Sequence, residues 1–236
     1  MRRSLRVLGT LLALSGSVML VWALLVWQWQ DPFTLLYTKW KQRELASQYD
    51  RQAGAFEISI PRTSLAAARA SIARAAKRYR AGATEGQAIG RLRVPRIGVN
   101  MIVVNGTDSA TLKKGPGRDP RTFMPGENRL VYIAGHRTTY SAPFSKIDAL
   151  KRGDRVTLEV PYARFVYSVT HHRIVRATDL SVLRSPRHEL LELQACHPRF
   201  FASHRYIAFA RLERVEPRGA PAYEASPTGE AQASGK

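Results

Sequence analysis

A long apolar run opens the chain, and shorter stretches of alternating apolar and polar residues follow it. From Val7 to Trp27 no charged residue occurs over 21 positions. Roughly 20 apolar residues suffice for a helix to cross the hydrocarbon core of a membrane. Trp22, Trp27 and Trp29 crowd the C-terminal end of the run, where interfacial aromatic residues belong. The pattern predicts a transmembrane helix within residues 1–30.

The charges beside this run predict its orientation. Arg2, Arg3 and Arg6 precede the run, whereas the positive balance after it is weaker and more distant. The positive-inside rule then predicts a single-pass protein of the cell membrane, with a cytoplasmic N-terminus and everything after Trp29 outside. A cleaved signal peptide is the alternative, but its apolar region is shorter and ends in small residues. Here the run continues into Trp-Gln-Trp-Gln-Asp-Pro, which favours a retained anchor.

Residues 31–89 are expected to form an extracytoplasmic helical stalk and linker. Between Thr63 and Gly82 nearly every residue is Ala, Arg or Ser, a composition that favours helix. Leu65, Ile72 and Tyr79 recur at intervals of seven and so share one narrow face. That face is expected either to dock on the following domain or to lie against anionic lipid.

From about residue 90 to residue 214 the pattern changes to short strands separated by turns rich in Gly and Pro. The strand predictions rest on β-branched and aromatic content. They cover Leu92–Val94, Met101–Val104, Leu130–Ile133, Arg155–Val160, Phe165–Val169, Leu190–Leu193 and Tyr206–Leu212. Helix predictions in this region are few and short, and Phe144–Leu150 is the best of them. This is a mainly all-β pattern, typical of a closed or nearly closed barrel. Residues 215–236 are expected to form a disordered tail.

A strong basic excess narrows the choice of partners. The chain has 37 Lys and Arg against 18 Asp and Glu, a formal net charge of +19. Such a charge attracts polyanions, namely nucleic acid, an anionic membrane or an anionic wall polymer. The predicted topology places the basic residues outside the cytoplasm. Nucleic acid is therefore not expected as a partner.

One cysteine, Cys196, carries the candidate chemistry. Thiolate is the nucleophilic form, and a free cysteine has a pKa of about 8.5, so a reactive cysteine needs a nearby imidazole or cation. Cys196 follows a predicted strand, His136 follows another, and Arg205 precedes a third. Taken singly these signals are weak, because a lone Cys is most often a small buried hydrophobe. The chain has 6 His, and spacing alone does not choose among them.

The motifs around these residues resemble the sortase family. Ala-Gly-His-Arg-Thr-Thr-Tyr ending at Tyr140, Leu-x-x-Cys ending at Cys196, and Arg205 after a short loop are similar to the sortase signature. The resemblance covers roughly residues 90–214. The His-Arg-Thr-Thr-Tyr and Cys-His-Pro pieces are closest to class E sortases of high-G+C Gram-positive bacteria.

The resemblance implies a fold and a set of roles. The fold would be a sortase-type barrel of seven or eight strands with short helices. Cys196 would be the nucleophile, His136 the catalytic histidine and Arg205 the essential arginine. Ala195, His197 and Tyr140 are expected to contact the substrate. Arg137 is expected to point to the other side of the strand end and to matter less.

The family also implies the reaction and its partners. A sortase cleaves an LPxTG-like or LAxTG-like sorting signal on a secreted protein between Thr and Gly. It then transfers that protein to an amine of a peptidoglycan precursor or a pilin Lys. No cofactor and no metal are expected. Most sortases carry Thr-Leu-x-Thr-Cys, whereas this chain has Glu192-Leu193-Gln194-Ala195-Cys196, which puts efficiency and substrate preference in doubt.

Other functions were weighed against this one. Papain-like wall peptidases place Cys before His, the reverse of the order here. L,D-transpeptidases place an Arg almost directly after the Cys, where this chain has His197-Pro198. A metal site built from Cys196, His197 and His204 lacks a second ligand pair. A catalytically weak sortase-fold scaffold, or a polybasic wall-binding protein, remains the non-enzymatic alternative.

Overall fold

The computed structural model describes residues 2–29, 32–61 and 64–225. Three long helices come first: α1 (Arg2–Trp29), α2 (Pro32–Ala55) and α3 (Leu65–Ala81). Ser64 caps α3, since its side chain accepts a hydrogen bond from the backbone N–H of Ala67. A single turn, α4 (Ser109–Leu112), lies among the strands.

Within the described residues, nine strands form one sheet. In chain order they are β1 (Ala88–Val94), β2 (Val99–Asn105), β3 (Gly117–Arg118), β4 (Leu130–Ala134), β5 (Arg155–Val160), β6 (Ala163–Arg176), β7 (Leu190–His197), β8 (His204–Pro217) and β9 (Tyr223–Glu224). Neighbours in the sheet follow the order β6-β5-β1-β2-β3-β4-β7-β8-β9. A further pairing of β6 with β8 closes the first eight strands into a barrel. The prediction of a mainly β, seven- or eight-stranded barrel is confirmed, with eight strands.

Alternation along the strands separates an inner face from an outer one. The inner face holds the main core, which includes Val131 and Ile133 of β4, Leu191 and Leu193 of β7, and Ala208 of β8. The residues between them point outward. Together with neighbouring side chains they form a second apolar group, here called the outer cluster. Its buried members are Leu130, Tyr132, Ala134, Val175, Val182, Ile207 and Phe209.

The first helix is exposed over Arg2–Leu24. Its window Arg2–Leu24 has a mean hydropathy of 2.0, and none of that window is buried. It is the one helix in the described ranges that is long and apolar enough to cross a membrane. The predicted segment thus forms a helix. The side chains of Trp27 and Trp29 lie outside the described residues.

The second and third helices pack on the barrel and do not form a separate stalk. Leu45 and Tyr49 of α2 are buried against β1 and β2. Ile72 and Tyr79 of α3 belong to the main core, so the predicted docking of their face is confirmed. Leu65 on the same heptad spacing is exposed, and its docking was wrong. It occupies the first position of α3, where the helix enters from solvent.

Three further expectations are corrected. Only Ile147–Ala149 within the predicted helix Phe144–Leu150 is helical, as one 3-10 turn. The tail does not begin at residue 215, because Val215 is buried in β8 and pairs with Tyr223 of β9. The remainder of the predicted tail, residues 226–236, lies outside the described residues. The strand predicted at Phe165–Val169 is longer than expected. It extends to Arg176, because its second half continues to pair with β8 as far as that residue.

Candidate active site

Strand pairing brings the chain before His136 alongside β7, which carries Cys196. Strands β4 and β7 are parallel, with Leu130 opposite Leu190 and Ala134 opposite Gln194. The last bond of this pairing runs from the N–H of Gly135 to the carbonyl of Gln194 over 2.9 Å. His136 follows one residue later, at the end of β4 that adjoins the end of β7. Neighbouring strands lie about 4.8 Å apart.

The other neighbour of β7 supplies the arginine. Strands β7 and β8 are antiparallel, and Cys196 lies directly opposite Arg205. Directly opposed residues project to the same face of a sheet. Cys196 and Arg205 are therefore a cross-strand pair, and His136 follows β4, the strand on the other side of β7. We call these three residues the row.

This row lies on the outer face of the barrel. Cys196 has the same parity along β7 as Leu190, which packs on the outer cluster, and Arg205 has the same parity along β8 as Ile207. Burial raises the pKa of Tyr132, and the nearby Glu192 adds to that rise while Arg205 opposes it. Tyr132 and Arg205 thus act on each other across β7, which places both on that face.

A close backbone contact fixes the position of His136. A Cβ on Gly135 would stand 2.6 Å from the Phe144 ring, so only glycine lets that ring pack against the backbone before His136. The N–H of Phe144 also donates to the carbonyl of His136 over 3.1 Å. The imidazole Nε2 is buried and has no hydrogen-bond partner among the described residues. Burial lowers the pKa of His136, and the charge of Lys113 lowers it further.

Tyr140 completes the surroundings of His136. The two rings lie 5.3 Å apart between centroids. The ammonium of Lys113 lies 5.7 Å from the Tyr140 ring centroid, and Leu112, the preceding residue, packs on the outer cluster. The predicted contact of Tyr140 with substrate stays a prediction.

Arg137 has a larger structural role than expected. Its side chain is 4% exposed and ends at the backbone of Cys196. Its Nη1 donates to the carbonyl of Cys196 at 3.3 Å and lies 2.8 Å from Nδ1 of His197. Its Nη2 donates to Asp148 at 2.6 Å. The side chain thereby ties the end of β7 to the loop after β4, which the pattern of a single surface arginine did not suggest.

The structure does not bring Ala195 and His197 to the row. Ala195 is fully buried in the main core because residues on either side of Cys196 project to the opposite face. Its side chain cannot contact a substrate beside Cys196, and only its backbone remains available. His197 follows the same alternation and binds Arg137 on that opposite side. The predicted substrate contacts of these two side chains are corrected accordingly.

Glu192 is a buried carboxyl that the sequence patterns did not single out. It is 3% exposed, shares the outer face of β7 with Cys196, and lies opposite Tyr132 and Phe209. One carboxyl oxygen has no hydrogen-bond partner among the described residues. Burial raises the pKa of Glu192 to about 8, although Arg173 opposes the rise. The sequence does contain one signal for Glu192: it lies four residues before Cys196, at a position where most sortases carry Thr.

Another surface feature lies apart from the row. A groove of about 830 Å³ is lined by Glu189, His171, Arg211 and Tyr223, among others, and includes none of the three row residues. Within the described ranges no group of three or more His, Cys, Asp and Glu could hold a metal ion. The chemistry available at the row is that of a thiol, an imidazole and a guanidinium.

Comparison with known proteins gives the family context. Residues 92–213, more than half of the chain, match the family model described as "Sortase domain". Sortase D of Bacillus subtilis is 34% identical over 131 residues, which are 53% of this chain and 64% of that protein. The matches to curated relatives cover between 42% and 64% of the relatives' own lengths.

Solved structures show the same barrel. Sortase E from Streptomyces avermitilis is 33% identical, with a TM-score of 0.51, over 58% of this chain and 97% of that chain. A sortase D5 transpeptidase from Clostridium perfringens has a TM-score of 0.59 over 73% of this chain and 98% of that chain. At 21% identity the second likeness shows the fold alone. The family resemblance seen in the motifs is confirmed, and a class E sortase is among the proteins matched.

The electrostatic contact between Lys113 and His136 yields a testable prediction. Removing the positive charge in Lys113→Gln should raise the pKa of His136, because the imidazolium no longer faces a like charge. The pKa should stay below its ordinary value, because burial persists. An NMR titration of the histidine rings checks the shift. Lys114→Gln is the matched control, and an unchanged or lower pKa in Lys113→Gln would refute the contact.

Proposed function

The chain belongs to the sortase family, and we propose that it is a membrane-anchored cysteine transpeptidase that sorts secreted proteins. Its substrates would carry an LPxTG-like or LAxTG-like signal cleaved between Thr and Gly. Residues 90–214 would carry the catalysis, with the anchor within residues 1–30 and the helices of residues 31–89 between them.

One observation supports this proposal: Cys196 of β7 lies opposite Arg205 of β8, and His136 follows β4, which pairs with the other side of β7. A cysteine nucleophile needs a proton-transfer partner and a donor for the developing oxyanion. An imidazole on one side of the thiol and a permanently charged guanidinium on the other meet both needs. Backbone pairing supports this arrangement, so the three groups require no hydrogen bonds to one another to stay in place.

The first half of the proposed reaction breaks the peptide bond. The Cys196 thiolate attacks the Thr carbonyl carbon, and the oxyanion that forms is stabilised by Arg205. Nη1 of Arg205 already donates to the carbonyls of Ala202 and His204, at 2.7 and 3.0 Å. Nε or Nη2 would therefore face the oxyanion. The C–N bond then breaks, the Gly amine leaves with a proton from His136, and a Cys196 thioester remains.

The second half transfers the acyl group. An acceptor amine, from a peptidoglycan precursor or a pilin Lys, attacks the thioester. The new amide bond forms, the amine proton passes to His136, and the Cys196 sulfur leaves as thiolate. No oxidant, reductant or cofactor is consumed, so the residues of the row suffice.

The lowered pKa of His136 determines how much of the imidazole carries a proton when the reaction begins. At neutral pH most of the imidazole is neutral, because burial and Lys113 disfavour the charged form. Only the fraction of molecules with an imidazolium beside a thiolate would be competent for the first step. The buried, unpartnered Nε2 is the atom suited to hold the proton that the leaving amine receives.

The apolar N-terminal helix supports the proposed location. A span within Arg2–Leu24 with Arg2, Arg3 and Arg6 at its start would leave the N-terminus in the cytoplasm. The catalytic barrel would then lie outside, beside the secreted substrates. The net charge of +19 would favour contact with an anionic membrane or wall polymer there, and nucleic acid would not be met.

Covalent trapping tests the cysteine mechanism. Full-length protein incubated with a panel of sorting-signal peptides should form an acyl adduct on Cys196 that mass spectrometry detects. Cys196→Ala should form none and lose cleavage, while its circular dichroism stays unchanged because Cys196 is only half-buried. Cleavage that persists in the variant would exclude this mechanism. Absence of any adduct with every peptide would favour the scaffold alternative.

Substitution of Arg205 tests the oxyanion role. Arg205→Ala and Arg205→Lys should both lose about 100-fold in kcat/KM, the scale of one oxyanion donor, because Lys lacks the planar fork. Arg214→Ala is the matched control, since this exposed arginine lies on the same strand but away from the row. Raised ionic strength separates local from general charge effects. A loss that disappears in salt, or that the control shares, would contradict the role of Arg205.

The proposed anchoring is tested by topology and by the mature N-terminus. A reporter that is active only outside the cytoplasm, fused after Lys236, should be active. The mature protein should retain Met1 or Arg2 at its start. A protein isolated from membranes that begins near Gln30 would instead identify a cleaved signal peptide.

A further inference from the structure

The beginning of α2 exposes apolar side chains on the face turned away from the barrel. Phe33, Leu36 and Trp40 are 72%, 69% and 57% exposed. Their spacing of three and four residues places them on one side of the helix. Beyond Trp40 the exposed positions through Arg51 are all polar: Arg43, Glu44, Ser47, Asp50 and Arg51. The apolar face is therefore confined to the first turns of α2.

These first turns rest on the loop that follows His136. The hydroxyl of Thr34 accepts a hydrogen bond from the N–H of Tyr140 at 3.2 Å. The Tyr37 ring meets the Tyr140 ring edge-on, 6.3 Å between centroids. The hydroxyl of Thr38 donates to the carbonyl of Lys113 at 3.1 Å. The apolar face of α2 is thus held at the margin of the row that contains Cys196.

The loop between β7 and β8 exposes two more aromatic rings at the same margin. Phe200 and Phe201 are 67% and 81% exposed. The neighbouring Arg199 donates to the carbonyl of Ser145, which lies in the same loop as Tyr140. Phe33, Leu36, Trp40, Phe200 and Phe201 therefore flank the loop after His136 from two sides. We call these five residues the aromatic rim.

One contact shows which part of the candidate span the rim lies beside. The Phe33 ring lies 5.8 Å from the ring of Trp22, between centroids. Trp22 lies in the C-terminal part of the apolar run Val7–Trp27. The start of α2 accordingly lies beside that C-terminal part, where aromatic side chains favour the membrane–water interface.

We propose that the aromatic rim docks on the outer surface of the membrane and seats the row of His136, Cys196 and Arg205 against the lipid headgroups. The inference rests on the membrane anchoring advanced under the proposed function. The ligand is an anionic phospholipid surface, chosen for the continuity of the rim with the span and for the basic charge of the chain. Lys39 and Arg199 are exposed beside rim residues in the sequence and suit anionic headgroups.

Docking in this way has a consequence for the reaction. Aromatic side chains at the interface fix how deep and at what tilt a domain sits. With rim residues on both sides of the His136 loop, the open side of the row faces the bilayer surface. An amine carried on a lipid would then approach Cys196 along the membrane plane, whereas a soluble amine would have to enter from the side.

Site-specific fluorescence tests the docking without using catalysis. In a Cys196→Ala background, Leu36→Cys and Phe201→Cys each supply one thiol for an environment-sensitive fluorophore. Glu213→Cys is the control, because this exposed residue lies on β8 about 26 Å from Arg205 at roughly 3.3 Å per residue. The labelled full-length proteins are reconstituted into liposomes of phosphatidylcholine and phosphatidylglycerol, with or without headgroup-proximal doxyl lipid.

The expected result is strong doxyl quenching and a blue-shifted emission at positions 36 and 201, with neither at 213. Both should persist in raised salt, since inserted rings do not depend on charge. A water-like signal at position 201, equal quenching at all three positions, or loss of quenching in salt would each overturn the proposal. If the rim bound a protein partner and not lipid, the liposome experiment would also give the water-like signal at position 201. Failure to float with liposomes would refute the anchoring itself, whereas failure to form a peptide adduct would leave the docking standing.

Discussion

The pairing of β7 with β4 on one side and β8 on the other is the constraint on which the site depends. The parallel pairing with β4 ends at Gln194, and the antiparallel pairing with β8 places Arg205 opposite Cys196. A slip of one residue in the second pairing would turn Arg205 to the opposite face. The geometry of the candidate site thus depends on backbone hydrogen bonds of the barrel. The alternation of side chains along β7 buries Ala195 in the core, so the residue before Cys196 serves packing.

The end of β7 needs support because the pairing stops there. Arg137 provides it from the inner side by bonding the carbonyl of Cys196, His197 and Asp148 at once. A buried guanidinium is costly to desolvate, and three partners offset much of that cost. On the outer side, Glu192 is buried with an unpartnered oxygen and a pKa raised to about 8. A neutral carboxyl at that position is less costly than a charged one, which reconciles Glu192 with a site where the family carries Thr.

The sequence predicted the strands whose residues are buried on at least one face, because burial selects β-branched and aromatic side chains. Arg155–Val160 matched to the residue, whereas β3 has two residues, Gly117 and Arg118, and no such pattern. The second half of β6 is largely exposed and basic, and only its pairing with β8 defines it as a strand. His136, Cys196 and Arg205 were identified by chemistry and motif. The role of Arg137 depends on Asp148 and His197, which the chain brings near it only in three dimensions.

The functional unit is larger than the matched family domain of residues 92–213. Tyr140, Ser141 and Ala142 have φ angles of 52°, 62° and 37°, a region that residues with side chains rarely adopt. Such strain persists only where surrounding contacts over-determine it, and here the contacts come from Thr34 and Tyr37 of α2. The loop that carries His136 therefore takes part of its shape from α2, the helix that follows the candidate span in sequence. Contacts from Trp22 to Phe33, and from Thr34 to Tyr140, thereby connect the candidate span with the surroundings of His136.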